Sequence, residues 1–93
     1  MLTLDSAIQI PAHVSFSTVK GNVFLLNTRT NNYFALDQVG ARFWELISGE
    51  DSLQEAYRSL LLEFEVEPDR LETDLLELLA DLHNYELIEI SQE

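Results

Sequence analysis

The chain has 93 residues, of which 46% are hydrophobic and 24% are charged. This composition is typical of one globular domain and excludes collagen-like, low-complexity and wholly disordered chains. Because the chain has no cysteine, it has no disulfide, no thiol nucleophile and no cysteine-based zinc or iron–sulfur site. We therefore expect a single domain over residues 1–93.

The net charge of −12 is confined to one half of the sequence. Up to residue 48, three acidic residues balance three basic ones, whereas from residue 49 onward 14 acidic residues face only Arg58 and Arg70. Such a field repels the phosphates of nucleic acid. It suits either a basic partner or a solvated acidic face, and the charge alone leaves both interpretations open.

Neither a membrane segment nor a secretory signal is visible in the sequence. No apolar run approaches the ~18 residues that a membrane helix needs. The first five residues contain no basic segment followed by an apolar stretch. We expect a cytoplasmic protein that does not bind membranes.

The first third of the chain has the pattern of three short strands. Val14–Val19 alternates apolar and small polar residues, and Lys20–Asn22 is a tight-turn signal. Val23–Thr28 is typical of a buried strand, Arg29–Asn32 of a polar turn, and Tyr33–Leu36 of a third strand. These segments predict a three-stranded antiparallel meander.

From Asp37 the apolar residues follow a helical period. Asp37 is a favourable N-cap residue, and Gly49 suits the left-handed position just after a helix. Between them, Val39, Phe43, Leu46 and Ile47 form one apolar stripe. We expect Trp44, beside this stripe, to lie in the core.

Two further helices and a short strand are predicted after Gly49. Ser52 and Glu55 have the spacing of a capping box, and Pro68 suits the first position of a third helix that ends near Asn84. Leu87–Ile90 alternates as a short terminal strand does. The core stripe of the third helix consists of Leu71, Leu75, Leu78 and Leu82, and a second apolar side consists of Leu76, Leu79 and Ala80. The fold class is α+β: a three-stranded meander followed by three helices, similar to a winged helix-turn-helix.

No arrangement of residues predicts catalysis or a metal site. The only histidines, His13 and His83, are too far apart in sequence to form a helical metal-binding pair. The alternating acids at positions 63–69 lack the glycine and the bidentate glutamate of a calcium loop. There is no phosphate-binding glycine loop and no nucleophile elbow. We expect no catalytic residue, no cofactor and no metal.

The winged-helix pattern raises the possibility of a DNA-binding regulator, and the charge of the third helix argues against it. Between Pro68 and Tyr85 this helix carries five acidic residues and one arginine, Arg70. A helix that enters the major groove normally offers arginine, lysine, asparagine or glutamine to bases and phosphates.

The segment Asn27–Leu46 resembles the signature of PqqD-like proteins. It contains Tyr33-Phe34-Ala35-Leu36 followed by Gly40 and Trp44, as in the stretch that links the third strand to the first helix in that family. The later leucine pattern is also similar, and the resemblance covers about Pro11 to Ile90. Two positions depart from the family pattern, because Asn31 and Glu86 stand where glycine is frequent.

The resemblance implies a recognition element for ribosomally made, modified peptides. Such proteins bind the leader segment of a precursor peptide and present it to a maturation enzyme. In lasso-peptide biosynthesis that enzyme is a separate leader protease, and in the pathway to pyrroloquinoline quinone it is a radical SAM enzyme. We expect the first of these roles, with the second as the alternative.

The third predicted strand is the expected binding edge. Asn32–Leu36 contains neither proline nor lysine, which commonly protect an edge strand, so an extended peptide could pair with it. The third helix would form the opposite wall, although the sequence leaves open which side of it faces the peptide and whether Leu75 belongs to the core. The expected leader-binding residues are Asn32, Tyr33, Phe34, Ala35, Leu36, Arg70, Leu71, Asp74, Leu75 and Leu79.

Substitutions in this site should separate binding from folding. We expect Leu75→Asp, or a proline at Ala35, to weaken peptide capture without abolishing folding. A third class of function also stays open, an accessory subunit whose acidic surface docks a basic enzyme without touching peptide.

Overall fold

The computed structural model describes residues 2–91 and contains five strands and three helices within that range. The strands are β1 (Ala7–Gln9), β2 (Val14–Val19), β3 (Asn22–Asn27), β4 (Asn32–Leu36) and β5 (Glu89–Ser91). The helices are α1 (Gln38–Ser48), α2 (Leu53–Glu63) and α3 (Pro68–Asn84). The predicted α+β order of a meander followed by three helices is confirmed.

The meander is an antiparallel sheet with the strand order β2-β3-β4. Lys20 and Gly21 connect β2 to β3, and both have positive φ, as a two-residue hairpin turn with the right-handed twist of the strands requires. Val23 and Leu25 of β3 have no exposed surface, and they face the helices. The core therefore lies between one face of the sheet and the three helices.

A second, two-stranded sheet pairs the two ends of the described chain. β1 and β5 are antiparallel, with Ile8 opposite Ile90. β1 was not predicted, because three residues are too few to show an alternation. The terminal strand begins two residues later than predicted, and Leu87 and Ile88 are core residues that precede β5.

The end of α1 differs from the prediction. Gly49 has a φ of −87°, so it does not occupy the left-handed position, which belongs to Glu50 at a φ of 77°. Glu50 N donates to Ile47 O at 3.2 Å and Asp51 N donates to Leu46 O at 3.1 Å. This pair of hydrogen bonds forms a Schellman motif, with glutamate at the position where glycine is preferred.

Helix α3 also ends in a Schellman motif. Glu86, at a φ of 58°, donates from its backbone N to His83 O at 3.0 Å, and Leu87 N donates to Leu82 O at 2.8 Å. Asn31 in the β3–β4 turn is also left-handed, at a φ of 62°. The two positions that depart from the glycine pattern of the PqqD family are thus left-handed residues.

Replacing Glu50 by glycine should stabilise the protein by about 0.5–1 kcal/mol, since glycine adopts positive φ without a steric cost. The matched control is Glu45→Gly inside α1, which we expect to destabilise by about 1 kcal/mol. Urea denaturation of both variants measures the effect, and a destabilised Glu50→Gly protein would contradict it.

The predicted capping box of α2 is confirmed. Glu55 N donates to Ser52 Oγ at 3.1 Å, and Ser52 N donates to Glu55 Oε1 at 2.9 Å. The hydrogen bond from the Ser52 backbone lowers the pKa of Glu55.

Ser52→Ala should reduce the free energy of unfolding by about 1 kcal/mol at neutral pH. Because the pKa of Glu55 is lower in the folded state than in the unfolded state, its carboxylate contributes to the free energy of unfolding at pH values above the ordinary glutamate pKa. This contribution is lost as the pH falls through the folded-state pKa. Ser59→Ala, within the same helix, is the control. Equal losses of stability in both variants would contradict the assignment.

Helix α3 begins at Pro68 and ends at Asn84, as predicted. Its buried residues are Leu71, Leu75, Leu79 and Leu82. Leu78, predicted in the core stripe, is only half-buried, and Leu79, predicted on the second side, is fully buried. Among residues 2–91, no helix is both long and apolar enough to cross a membrane.

Candidate functional site

A cavity of about 570 Å³ opens between β4 and α3. We call it the β4–α3 groove. Most of its lining side chains are apolar, and the polar ones lie on α3, at the start of β3 or directly after β4. The lining residues are Asn22, Phe24, Phe34, Ala35, Leu36, Asp37, Val39, Gly40, Val66, Arg70, Leu71, Asp74, Leu75 and Leu78.

The structure brings most of the predicted site residues together at this groove. Those that line it are Phe34, Ala35, Leu36, Arg70, Leu71, Asp74 and Leu75. Asn32 and Tyr33 lie on the same strand outside the lining, and Tyr33 is 76% exposed. Leu79 does not line the groove and has no exposed surface. The prediction for Leu79 is therefore corrected, because this position of α3 faces the core.

Leu71 and Leu75 form the floor of the groove and also belong to the core, since they are only 3% and 2% exposed. A carboxylate at position 75 would be buried without a partner, which is strongly destabilising. We therefore expect Leu75→Asp to destabilise the fold as well as to weaken binding, so this variant does not separate the two effects. Leu78 is the groove residue of α3 that is half-buried and suits such a test.

Several groove residues were not predicted from the sequence. Phe24 contributes from β3, Val39 from α1 and Val66 from the segment before α3. Gly40 also lines the groove, where an added Cβ would lie 3.4 Å from Leu36 Cδ2 and 3.6 Å from Leu78 Cδ2. The signal for Gly40 was its place in the family signature, whereas Phe24 and Val39 resembled ordinary core residues and Val66 lay in the break before the third helix.

The open edge of β4 carries unpaired backbone groups that face away from β3. In a two-residue hairpin the closing pair, here Val19 and Asn22, is hydrogen-bonded. Thr28 N donates to His13 O at 2.9 Å, which continues that alternation along β3. Even-numbered residues of β3 thus bond to β2, and odd-numbered residues bond to β4.

This alternation fixes the orientation of β4. Val23, Leu25 and Asn27 lie opposite residues 36, 34 and 32, so these three β4 residues direct their backbone groups toward β3. Tyr33 and Ala35 direct theirs outward. Among the described residues no strand pairs with this edge, because β5 pairs with β1 instead.

Three charged side chains line the groove. Arg70 Nε lies 3.9 Å from Asp74 Oδ2, and the two side chains are 81% and 60% exposed, so this pair is weak and easily exchanged. Asp37 occupies the N-cap of α1 as predicted, but its carboxylate accepts no capping hydrogen bond. The carboxylate of Asp37 is therefore not committed to the helix that it begins.

A buried asparagine holds β4 and α3 in place. Asn27 is fully buried, and its Nδ2 donates to Tyr85 O at 3.0 Å and to Glu86 O at 3.3 Å. Its Oδ1 accepts from Arg29 N at 2.9 Å and from Thr30 N at 3.2 Å. The side chain thus joins the β3–β4 turn, which precedes β4, to the end of α3, and the groove opens between β4 and α3.

A second cavity, of about 870 Å³, lies between residues 4–11 and the α1–α2 connection. It contains none of the predicted site residues and does not reach β4. Within residues 2–91, no three histidine or acidic side chains gather in a way that would hold a metal ion.

Comparison with known proteins identifies the family. Residues 22–88 match the family model described as coenzyme PQQ synthesis protein D (PqqD). The chain belongs to the PqqD family. No curated protein matches it.

A solved structure is similar over nearly the whole chain. It is described as TbiB1 in complex with the TbiA(beta) leader peptide, and it has a TM-score of 0.85 and 32% sequence identity. The match covers 91% of this chain and 99% of that chain. The resemblance inferred from the Tyr33–Trp44 block is thereby confirmed.

Proposed function

We propose that this protein binds the leader segment of a ribosomally made precursor peptide and performs no catalysis itself. The leader adds as a strand to the open edge of β4 and places alternate side chains in the β4–α3 groove. The observation that carries this proposal is the unpaired edge of β4 directly beside an apolar groove.

The length of the β4–α3 groove supports an extended peptide as its ligand. From Phe34 to Asp37 the groove follows about 10 Å of extended backbone, and from Arg70 to Leu78 it follows about 12 Å of helix. A strand of three to four residues has this length, so roughly two of its side chains face the groove while the others face away. The outward backbone groups of Tyr33 and Ala35 supply up to four hydrogen bonds.

The similarity to TbiB1, which was solved with a leader peptide, supports the same ligand class for this chain. We further propose that the captured leader is delivered to a leader protease of lasso-peptide biosynthesis. The family description, coenzyme PQQ synthesis protein D, favours the second candidate, delivery to a radical SAM enzyme. Pull-down of each enzyme by this protein, with and without leader peptide, distinguishes these two partners. If an enzyme is captured equally well with and without the leader, this protein is better described as an accessory subunit.

Titration of fluorescent leader peptides tests the binding function. The probes are the leaders of precursors encoded beside this gene, with the TbiA(beta) leader as an additional probe. We expect saturable binding that Leu78→Asp weakens at least about tenfold, because a carboxylate is placed in the apolar groove.

The matched control is Leu62→Asp, since Leu62 is an 89% exposed leucine of α2 that does not line the groove. This control should bind as the unchanged protein does. The absence of saturable binding by every encoded leader, or equal weakening in both variants, would count against the proposed site.

A further inference from the structure

Asp37 is an exposed carboxylate at the end of the binding edge, and α1 does not use it. Asp37 follows Leu36 directly and lines the groove, and its carboxylate accepts no hydrogen bond from the first turn of α1. Among residues 2–91 it forms no ion pair. An N-cap carboxylate that lines a groove and has no partner is available to a ligand.

The other charged groups of the groove reinforce a preference for cations. Within the described part of the chain, Asp74 is engaged only by the weak contact with Arg70, and a ligand cation can replace that arginine at little cost. With Asp37, Arg70 and Asp74 together, the lining carries a net negative charge. The surrounding chain adds to this field, because the whole net charge of −12 arises from residue 49 onward, the region that contains α3.

We infer that the β4–α3 groove selects leader segments in which a lysine or arginine lies next to the apolar residues that fill the groove. Asp37 binds this cation at the carboxyl end of β4, and Asp74 supports it from α3. This inference rests on the proposed function and specifies the chemistry of its ligand.

Three synthetic peptides test the preference. They share an alternating valine and threonine centre of about four residues, the length that the groove accepts, and are flanked by lysine, serine or glutamate. We expect the lysine peptide to bind on the order of tenfold more tightly than the glutamate peptide at low salt, with the serine peptide between them. The ratio of the lysine-peptide affinity to the glutamate-peptide affinity should decrease in 1 M salt, because the Debye length is then only about 3 Å.

A charge-matched pair of variants separates a local contact from the overall field. Asp37→Asn removes the carboxylate and keeps a favourable N-cap residue, so α1 is retained. Glu89→Gln makes the same change of charge on the exposed surface of β5, outside the groove. Asp37→Asn should reduce the lysine-to-glutamate ratio about threefold, whereas Glu89→Gln should leave it nearly unchanged.

Each outcome decides the inference. Equal binding of the three peptides would overturn the cation preference and leave the peptide-binding function standing. If the two variants lowered the lysine-to-glutamate ratio equally, the preference would come from the net negative charge of the protein and not from a contact with Asp37. If none of the three peptides bound while encoded leaders did, recognition would depend on other side chains and the inference would fail. Failure of the encoded leaders as well would overturn the proposed function with it.

Discussion

Replacing Asn27 by alanine is expected to lower the free energy of unfolding by about 3 kcal/mol. The side chain is fully buried and makes four hydrogen bonds to backbone groups, two in the adjacent β3–β4 turn and two at the distant end of α3. Its removal takes the hydrogen-bonding partner away from four backbone groups, each at a cost of about 1–3 kcal/mol where water cannot enter. For a domain with a total stability of about 5–15 kcal/mol, this is a large loss.

The matched control is Asn32→Ala, which removes the same side chain from the residue directly opposite on β4. Asn32 is exposed, and no hydrogen bond of its side chain occurs in the described part of the chain, so we expect a change within about 0.5 kcal/mol. Urea midpoints of both variants measure the difference. Similar losses in the two proteins would show that the network of Asn27 contributes little.

The Asn27 network also connects stability to the groove. Tyr85, whose carbonyl accepts from Asn27, packs its ring against that of Phe34 at a centroid distance of 5.4 Å. The end of α3 is therefore held against β4 both by backbone hydrogen bonds and by an aromatic contact. We expect the Asn27 variant to lose part of its leader affinity as well, although Asn27 does not line the groove.

Local sequence signals predicted the elements of this fold well because each acts within a few residues. The capping box at Ser52 and the proline at the start of α3 gave the correct helix starts. The buried role of Asn27 had no such signal, since its partners Tyr85 and Glu86 lie 58 and 59 positions away. The pairing of β1 with β5 is non-local in the same way.

The candidate site was less predictable than the fold for a geometric reason. Adjacent leucines of a helix differ by about 100° in direction, so a wide apolar surface gives no sequence signal for the boundary between core and groove. Leu78 and Leu79 lie on either side of that boundary, and the predicted places of these two residues were exchanged. The exposed edge of β4 was predictable, because three consecutive strands in a meander leave the third strand unpaired on one side.

Replacing Ala35 by proline is expected to weaken leader binding on the order of 30-fold. Ala35 directs its N–H toward the open edge, so proline removes a donor that the incoming strand needs and leaves a ligand carbonyl without a partner. The hydrogen bonds between β3 and β4 are made by residues 32, 34 and 36, and they remain. Because edge strands tolerate proline at outward positions, the fold should persist.

The control is Thr18→Pro, which makes the same change at the opposite edge of the meander. The alternation that orients β4 also directs the backbone of Thr18 outward from β2, away from the groove. Titration with the same leader peptides, together with circular dichroism of both variants, compares the two edges. Weaker binding in Ala35→Pro alone assigns the leader to β4. Equal loss in both variants would indicate a general effect of proline on the sheet, and loss in Thr18→Pro alone would move the binding edge to β2.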